Sequence, residues 1–212
     1  MAAIFDSTNP ASPLHYDASQ TALLILDFQS FIINLCGPGG KPAVAKAAKM
    51  RNWALSQDMM VLHSIVDVNS QPPSTCKVGV PIKSLLEGLK GDDSEAAKEP
   101  TELAFAHRDR EYLVLKPSGA NSSFKSAGAA ELLSKQRIKS LIVCGVSTSG
   151  TVLRTAVPAT DDDFVVSVIS DACADANVAL HEVLMEQVLP SRAHVALAEQ
   201  FIEEWTKAKA QA

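Results

Sequence analysis

The 212-residue chain has no excess of positive charge, no long hydrophobic run and no paired cysteines, and each absence removes a class of protein. Its net charge is −5, so the charge balance offers nothing to nucleic acid or to anionic lipid. No segment reaches the run of about 18 apolar residues that a membrane-spanning helix needs. Met1 to Asp6 lacks the basic region and apolar stretch of a secretory signal, so a cytosolic protein is expected. Cys36, Cys76, Cys144 and Cys173 fall one per region, without C-x-x-C pairs or histidine partners. That spacing argues against a zinc site or a disulfide framework and for reduced thiols. The only glycine cluster, Gly37-Pro38-Gly39-Gly40, lacks the spacing of a phosphate loop and follows its strand too late for a dinucleotide fingerprint. Internal repeats and low-complexity tracts are also missing. The residues themselves imply no polyanion partner, no metal site and no phosphate-loop or dinucleotide cofactor.

What is present reads as an ordinary globular chain, 47% hydrophobic and 20% charged, of a length that suits one domain over 1–212. Residues 1–19, with Pro10 and Pro13, suit an extended N-terminal arm. Thr21 to Leu26, TALLIL, is a continuous apolar run that fits a strand buried on both faces, and it stops abruptly at Asp27. Pro42 to Leu55 reads as an amphipathic helix and Met59 to Val66 as a second strand. His63 within that strand has no second ligand at metal spacing and reads as a satisfied core histidine. From Asp67 to Asp109, prolines and the acidic run Gly91 to Glu95 predict loops and short helices forming one wall of a pocket.

Glu111 to Lys116, EYLVLK, is a third strand, ending in a lysine before Pro117. Asn121 to Gln136 then reads as a helix with Phe124 on its apolar face. Lys139 to Ala156, KSLIVCGVSTSGTVLRTA, runs from a strand through small residues into a helix. Such a junction presents backbone N–H groups to an anion or to developing negative charge. Phe164 to Ile169, Val178 to Val188, Ala193 to Ala196 and Glu199 to Lys209 give a strand, a helix, a short strand and a final helix. The alternation predicts an α/β fold with a parallel sheet and right-handed crossovers. In such sheets the ligand crevice lies beyond the strand carboxyl ends, where Asp27 and Lys116 both fall.

With LLILDFQ, YLVLKPSGANSSF, IVCGVSTSGTVLRTAV and VISDACAD in this order, the chain from about Thr21 to about Val195 resembles the isochorismatase-like, or cysteine hydrolase, family. The resemblance implies a three-layer αβα fold with a six-stranded, mostly parallel sheet in the order 3-2-1-4-5-6, assembled as a homo-oligomer, dimer or tetramer. It also implies a cis peptide between Val146 and Ser147. The catalytic Asp, Lys and Cys of the family's amidases fall on Asp27, Lys116 and Thr151. A threonine hydroxyl has no ionised fraction comparable to that of a thiol at a helix start, so amide hydrolysis through a thioester is not expected. Cys144 comes too early and Cys173 belongs to the next strand end. Asp67-Val68-Asn69 lacks the histidine-bearing metal motif of the nicotinamidase branch.

The isochorismatases resembled here cleave a vinyl ether, yielding pyruvate and a dihydroxycyclohexadiene carboxylate, with the Asp as general acid. On that basis the expected substrate is isochorismate or a similar small carboxylate: Asp27 supplies the proton, Lys116 and the backbone near Thr151 orient the substrate, and Gln29, Phe31, Phe124, Val146, Ser147, Gly150 and Arg154 line or bind it, Arg154 through a carboxylate. One tension follows: Lys116 beside Asp27 would lower the pKa of the very carboxyl that must carry a proton. The strand end Ile65-Val66-Asp67 also lacks the Gln and Arg expected for holding isochorismate. A catalytically degenerate binder, or an amide hydrolase with a non-cysteine nucleophile, stand as alternatives.

Overall fold

The computed structural model describes residues 5–89 and 94–210. Six parallel strands form one sheet in the order β3-β2-β1-β4-β5-β6. They are β1 Thr21–Leu26, β2 Met60–Asp67, β3 Glu111–Pro117, β4 Ser140–Val146, β5 Val165–Ala174 and β6 His194–Ala196. Among the described residues seven α-helices connect and cover them: α1 Ser30–Leu35, α2 Gly40–Ser56, α3 Gly79–Glu87, α4 Ala129–Lys135, α5 Leu153–Asp161, α6 Val178–Val183 and α7 Ala198–Ala210.

Strand alternation divides the interior into two cores. Leu23 and Ile25 of β1 point to one face, against Ala47 and Met50 of α2 and Phe201 and Trp205 of α7. Ala22, Leu24 and Leu26 point to the other, against Leu133 of α4 and Ala156 and Ala159 of α5. A strand buried on both faces has no polar side to show, which is why TALLIL reads as one apolar run. Truncating a leucine here costs about 2–5 kcal/mol. Gly145 lets β1, β4 and the following helix meet, since a Cβ there would stand 2.8 Å from Leu26 Cβ and 2.9 Å from Val152 Cγ2.

Several expected boundaries shift. The fifth strand continues past Ile169 to Ala174, so Asp171 lies inside it and Asp175 is the first residue beyond its end. A register irregularity between Val143 and Gly145 accommodates the extension. The expected helix over 121–136 is a single 3-10 turn, Ser123–Lys125, followed by α4. The break is Gly128, whose φ of 79° a helix cannot continue. The helix expected over 178–188 is α6 followed by one π-helical turn, Leu184–Val188. The N-terminal arm packs on its own chain: Phe5 and Leu14 enter the first core, and His194 Nε2 lies 2.7 Å from the Ala11 carbonyl. Part of the acidic run, residues 91–93, lies outside the described residues. Among the described residues no helix is long and apolar enough to cross a membrane.

Candidate active site

β1 and β4 are neighbours whose chains depart in opposite directions across the sheet, so a crevice opens beyond their carboxyl ends. Asp27 leaves β1 with φ 57°, a left-handed conformation that a short polar side chain tolerates better than most. Its N–H is held by the Ser64 carbonyl at 2.9 Å. From β3, two strands away, Lys116 extends beneath the crevice and is fully buried. The other contribution is the turn after β4, which begins with a cis peptide between Val146 and Ser147 and winds into one π-helical turn, Thr148–Val152, before α5. That turn carries Thr151, also buried.

The three side chains meet. The Lys116 ammonium donates to Asp27 Oδ2, to the Asn121 carbonyl at 2.9 Å and to Thr151 Oγ1 at 3.2 Å. An ammonium has three N–H donors, so Lys116 has none left for a ligand. The ammonium is thus held entirely on acceptors of the protein itself. Asp27 is the opposite case: its Oδ1 is buried and has no protein partner. Burial, the largest influence, pushes the Asp27 carboxyl above its usual range. The Lys116 charge and hydrogen bond pull it down, as does the Thr151 hydroxyl, without cancelling the rise.

Above this cluster lies a cavity of about 180 Å³, smaller than the few hundred cubic ångström of drug-sized ligand sites. Asp27, Asn121, Ser147, Gly150 and Thr151 form its polar side, while Phe31, Val66 and Val146 with Ile82, Leu85 and Leu86 of α3 form its apolar side. Of the expected pocket residues, Phe31, Val146, Ser147 and Gly150 thus stand with Asp27 and Thr151. A Cβ on Gly150 would lie 2.6 Å from Ser147 Oγ, so a larger residue there would require the Ser147 hydroxyl to turn away.

Three expected substrate contacts are corrected. Gln29 turns away from the cavity: its amide donates to the Val66 and Ala97 carbonyls at 3.0 and 2.9 Å, and Oε1 accepts from Val66 N at 2.8 Å. It ties β2 and the 95–98 segment to β1, because an amide placed between two unpaired backbone stretches satisfies both. Phe124 packs into the second core and stacks on Phe164 at 6.1 Å, since the chain breaks at Gly128 and turns its ring inward. Arg154 is exposed, donates to the Ser149 carbonyl and lines a separate surface cleft.

Other groups hold the turn and were not legible beforehand. Asp175 accepts from Ser149 N at 2.8 Å and Ser149 Oγ at 2.7 Å. Burial alone would raise its pKa, but these hydrogen bonds win and lower it. Thr148 Oγ1 pairs with His181 Nδ1 at 2.8 Å, and burial lowers the His181 pKa. Asp175 is hidden in the sequence because the strand that delivers it runs five residues further than its apolar run suggests. The four cysteines are free. Burial pushes Cys173 up to about 12 and Cys144 well above its ordinary value, so neither supplies a thiolate in place of the missing one. Among the described residues no group of three or more His, Cys, Asp or Glu is arranged to hold a metal ion.

With this geometry in hand, the model of the isochorismatase domain matches residues 21–200. No curated relative is detected by sequence. Solved structures share the fold. An isochorismatase family protein from Burkholderia thailandensis is 20% identical with a TM-score of 0.71, over 89% of this chain and 96% of that one. A cysteine hydrolase from Pseudomonas syringae pv. phaseolicola is 16% identical with a TM-score of 0.70, over 91% and 95%. N-carbamoylsarcosine amidase from Thermoplasma acidophilum is 20% identical with a TM-score of 0.66, over 85% and 97%.

Proposed function

This chain belongs to the isochorismatase domain family, and on that premise we propose that it is a hydrolase of a small molecule in which Asp27 moves the proton and water attacks. The observation that carries the reading is the state of Asp27: buried, raised in pKa, and with Oδ1 unpartnered at the cavity that it lines. Such a carboxyl holds a proton at a pH where an exposed one has lost it.

The bond class that fits is an enol ether. Protonated Asp27 gives its proton to the terminal vinyl carbon, the π electrons form the new C–H bond, and an oxocarbenium ion results. Water adds to that ion and returns a proton to the Asp27 carboxylate. Transfer of the hydroxyl proton to the ether oxygen and cleavage of the C–O bond release a ketone and an alcohol. No thiol is needed at Thr151. Its hydroxyl already accepts from Lys116, which supports a role in fixing the pair over one as nucleophile.

The expectation of isochorismate itself is weakened by the placement of Arg154, because neither substrate carboxylate would find that guanidinium in the cavity. A binder without turnover would have its pocket filled by side chains, and the open 180 Å³ volume speaks against that alternative.

The test is to offer the protein isochorismate, following pyruvate, and the uncharged enol ether α-methoxystyrene, following acetophenone. At least one is expected to be cleaved, and Asp27→Asn should lose about 10²–10⁴-fold in rate. Equal product from wild type and Asp27→Asn rejects the reading.

A further inference from the structure

The charge inventory of the cavity restricts what can enter it. Among the described residues that line it, Asp27 is the single ionisable side chain. Lys116 lies behind the wall rather than on it, fully buried, with all three N–H groups spent on Asp27, Asn121 and Thr151. Arg154, the nearest candidate for a counter-charge by sequence, is exposed, bound to the Ser149 carbonyl and faces a different cleft. A carboxylate entering this cavity would shed its water and find no free cationic donor on the wall to replace it. Each of these disfavours the anion.

The shape of the lining says what is favoured instead. The polar groups cluster at one end, where Asp27, Asn121, Ser147 and Thr151 meet. Phe31 and the α3 side chains Ile82, Leu85 and Leu86 supply the bulky apolar part of the lining. Phe31, Ile82 and Leu86 are packed together in a small cluster of their own with Val68 and Leu89, so this wall is built rather than incidental. Burial of an alkyl or aryl group against it contributes to binding in proportion to the area covered.

We infer that the cavity selects an uncharged substrate, with the reacting bond at Asp27 and an alkyl or aryl group on the Phe31–Ile82–Leu85–Leu86 wall, and discriminates against carboxylates. The inference rests on the hydrolase reading only for which bond reacts; the selectivity belongs to the cavity.

Acetophenone and 4-acetylbenzoate are a matched pair of probes that differ by one carboxylate, ionised at neutral pH. Ligand-observed NMR titration of the wild-type protein at pH 7.5 is expected to give acetophenone at least a tenfold lower Kd. Leu85→Arg places a cation at the cavity rim, at a residue 44% exposed and therefore tolerant of the change. That variant should bring the ratio to one or invert it. Equal or tighter binding of 4-acetylbenzoate by the wild type overturns the inference, and so does failure of both ligands to bind. A parallel turnover assay uses α-methoxystyrene and its 4-carboxylate. Selective acetophenone binding without conversion of α-methoxystyrene supports the selectivity while rejecting enol-ether hydrolysis.

Discussion

Lys116 and Asp27 stand 89 residues apart in the chain and meet at the base of the cavity, the ammonium donating to Oδ2 with both side chains almost wholly buried. A pair withdrawn from water in this way resists removal of either partner more than it rewards their joint presence. Lys116→Met is expected to destabilise the fold by about 3–5 kcal/mol at pH values above the folded-state pKa of Asp27, where it leaves a carboxylate buried and alone. Adding Asp27→Asn to that variant should restore part of the loss, since the amide carries no charge. The midpoints of urea unfolding for the two single variants and the double variant check this; a double variant no more stable than Lys116→Met contradicts it.

The same pair sets a pH dependence. Burial raises the Asp27 pKa, so its acid form, and the activity that needs it, is present at low pH and declines as pH rises through the folded value. The linked stability has the same sign: it is present below the unfolded value near 3.8 and lost as pH climbs through the raised one. Lys116 pulls the carboxyl down, so Lys116→Met should move the falling limb of kcat/KM to higher pH. A profile that stays in place, or moves lower, disposes of Asp27 as the proton donor.

Thr151 separates water attack from a covalent route. Its Oγ1 accepts one hydrogen bond from Lys116 at 3.2 Å, and Thr151→Ala removes that contact, worth about 1–3 kcal/mol. Activity with an enol ether should fall by about tenfold and be regained in Thr151→Ser. A collapse of about 10³-fold or more in Thr151→Ala would mean that the hydroxyl itself forms a bond.

Asp175 acts on the site through the backbone. It takes two hydrogen bonds from Ser149 and one from Asn177 N at 3.1 Å, locking the π-helical turn that carries Thr151. Asp175→Ala should lower kcat by about 10–100-fold with little change in KM, since misplacement of reacting groups weighs on the transition state. Asp175→Asn, which keeps an acceptor, should recover part of it. An effect on KM alone would assign Asp175 to substrate binding instead.

A second buried network, away from the cavity, makes a separate forecast. His63 lies between Glu99, with Nδ1 2.9 Å from Oε1, and Glu111, with Nε2 3.1 Å from Oε1; Arg51 reaches Glu111 at 2.6 Å. Burial would lower the His63 pKa, but the two carboxylates outweigh it and raise it. Glu111 is held at about 2, the hydrogen bonds from His63 and Arg51 overcoming burial. The stability from charged His63 is fully present below its unfolded value near 6.5 and lost as pH rises through the folded one. That from Glu111 is present above 4.5 and lost as pH falls toward 2. Urea unfolding should therefore show His63→Gln costing about 1–3 kcal/mol at pH 6 and less at high pH; a constant cost across pH would refute the charged state.

Much of the fold was legible in local pattern. β1 is TALLIL with both faces covered, and the break at Asp27 marked its end to the residue. The alternation of strands and helices announced a parallel sheet, while its strand order and the cis peptide at Val146–Ser147 followed from the family resemblance. The positions of Asp27 and Lys116 were legible because strand ends show as abrupt changes of polarity, whereas Thr151 was marked out by the family resemblance. Less legible was β5, whose last five residues include Ser170 and Asp171 and do not look like a strand. Asp171 there accepts from Ala198 N at 2.8 Å and pairs with Lys46 at 3.2 Å, contacts that only a folded neighbour provides.

Sequence alone determined which residues stand at the strand ends, since hydrophobic runs and their interruptions are local properties of the chain. Tertiary structure decided where those side chains point. Gln29, two residues from Asp27, turned inward to satisfy backbone groups from β2 and from the 95–98 segment, while Asp27, at φ 57°, reached the cavity. Arg154, three residues from Thr151, went to solvent. The α3 wall of the cavity falls in the stretch from Asp67 to Asp109 where short helices and a pocket wall were expected, but which of its side chains face the cavity was decided by the fold. Direction at the end of an element depends on a single backbone dihedral and on which distant groups arrive to pair, and neither is written in residue spacing.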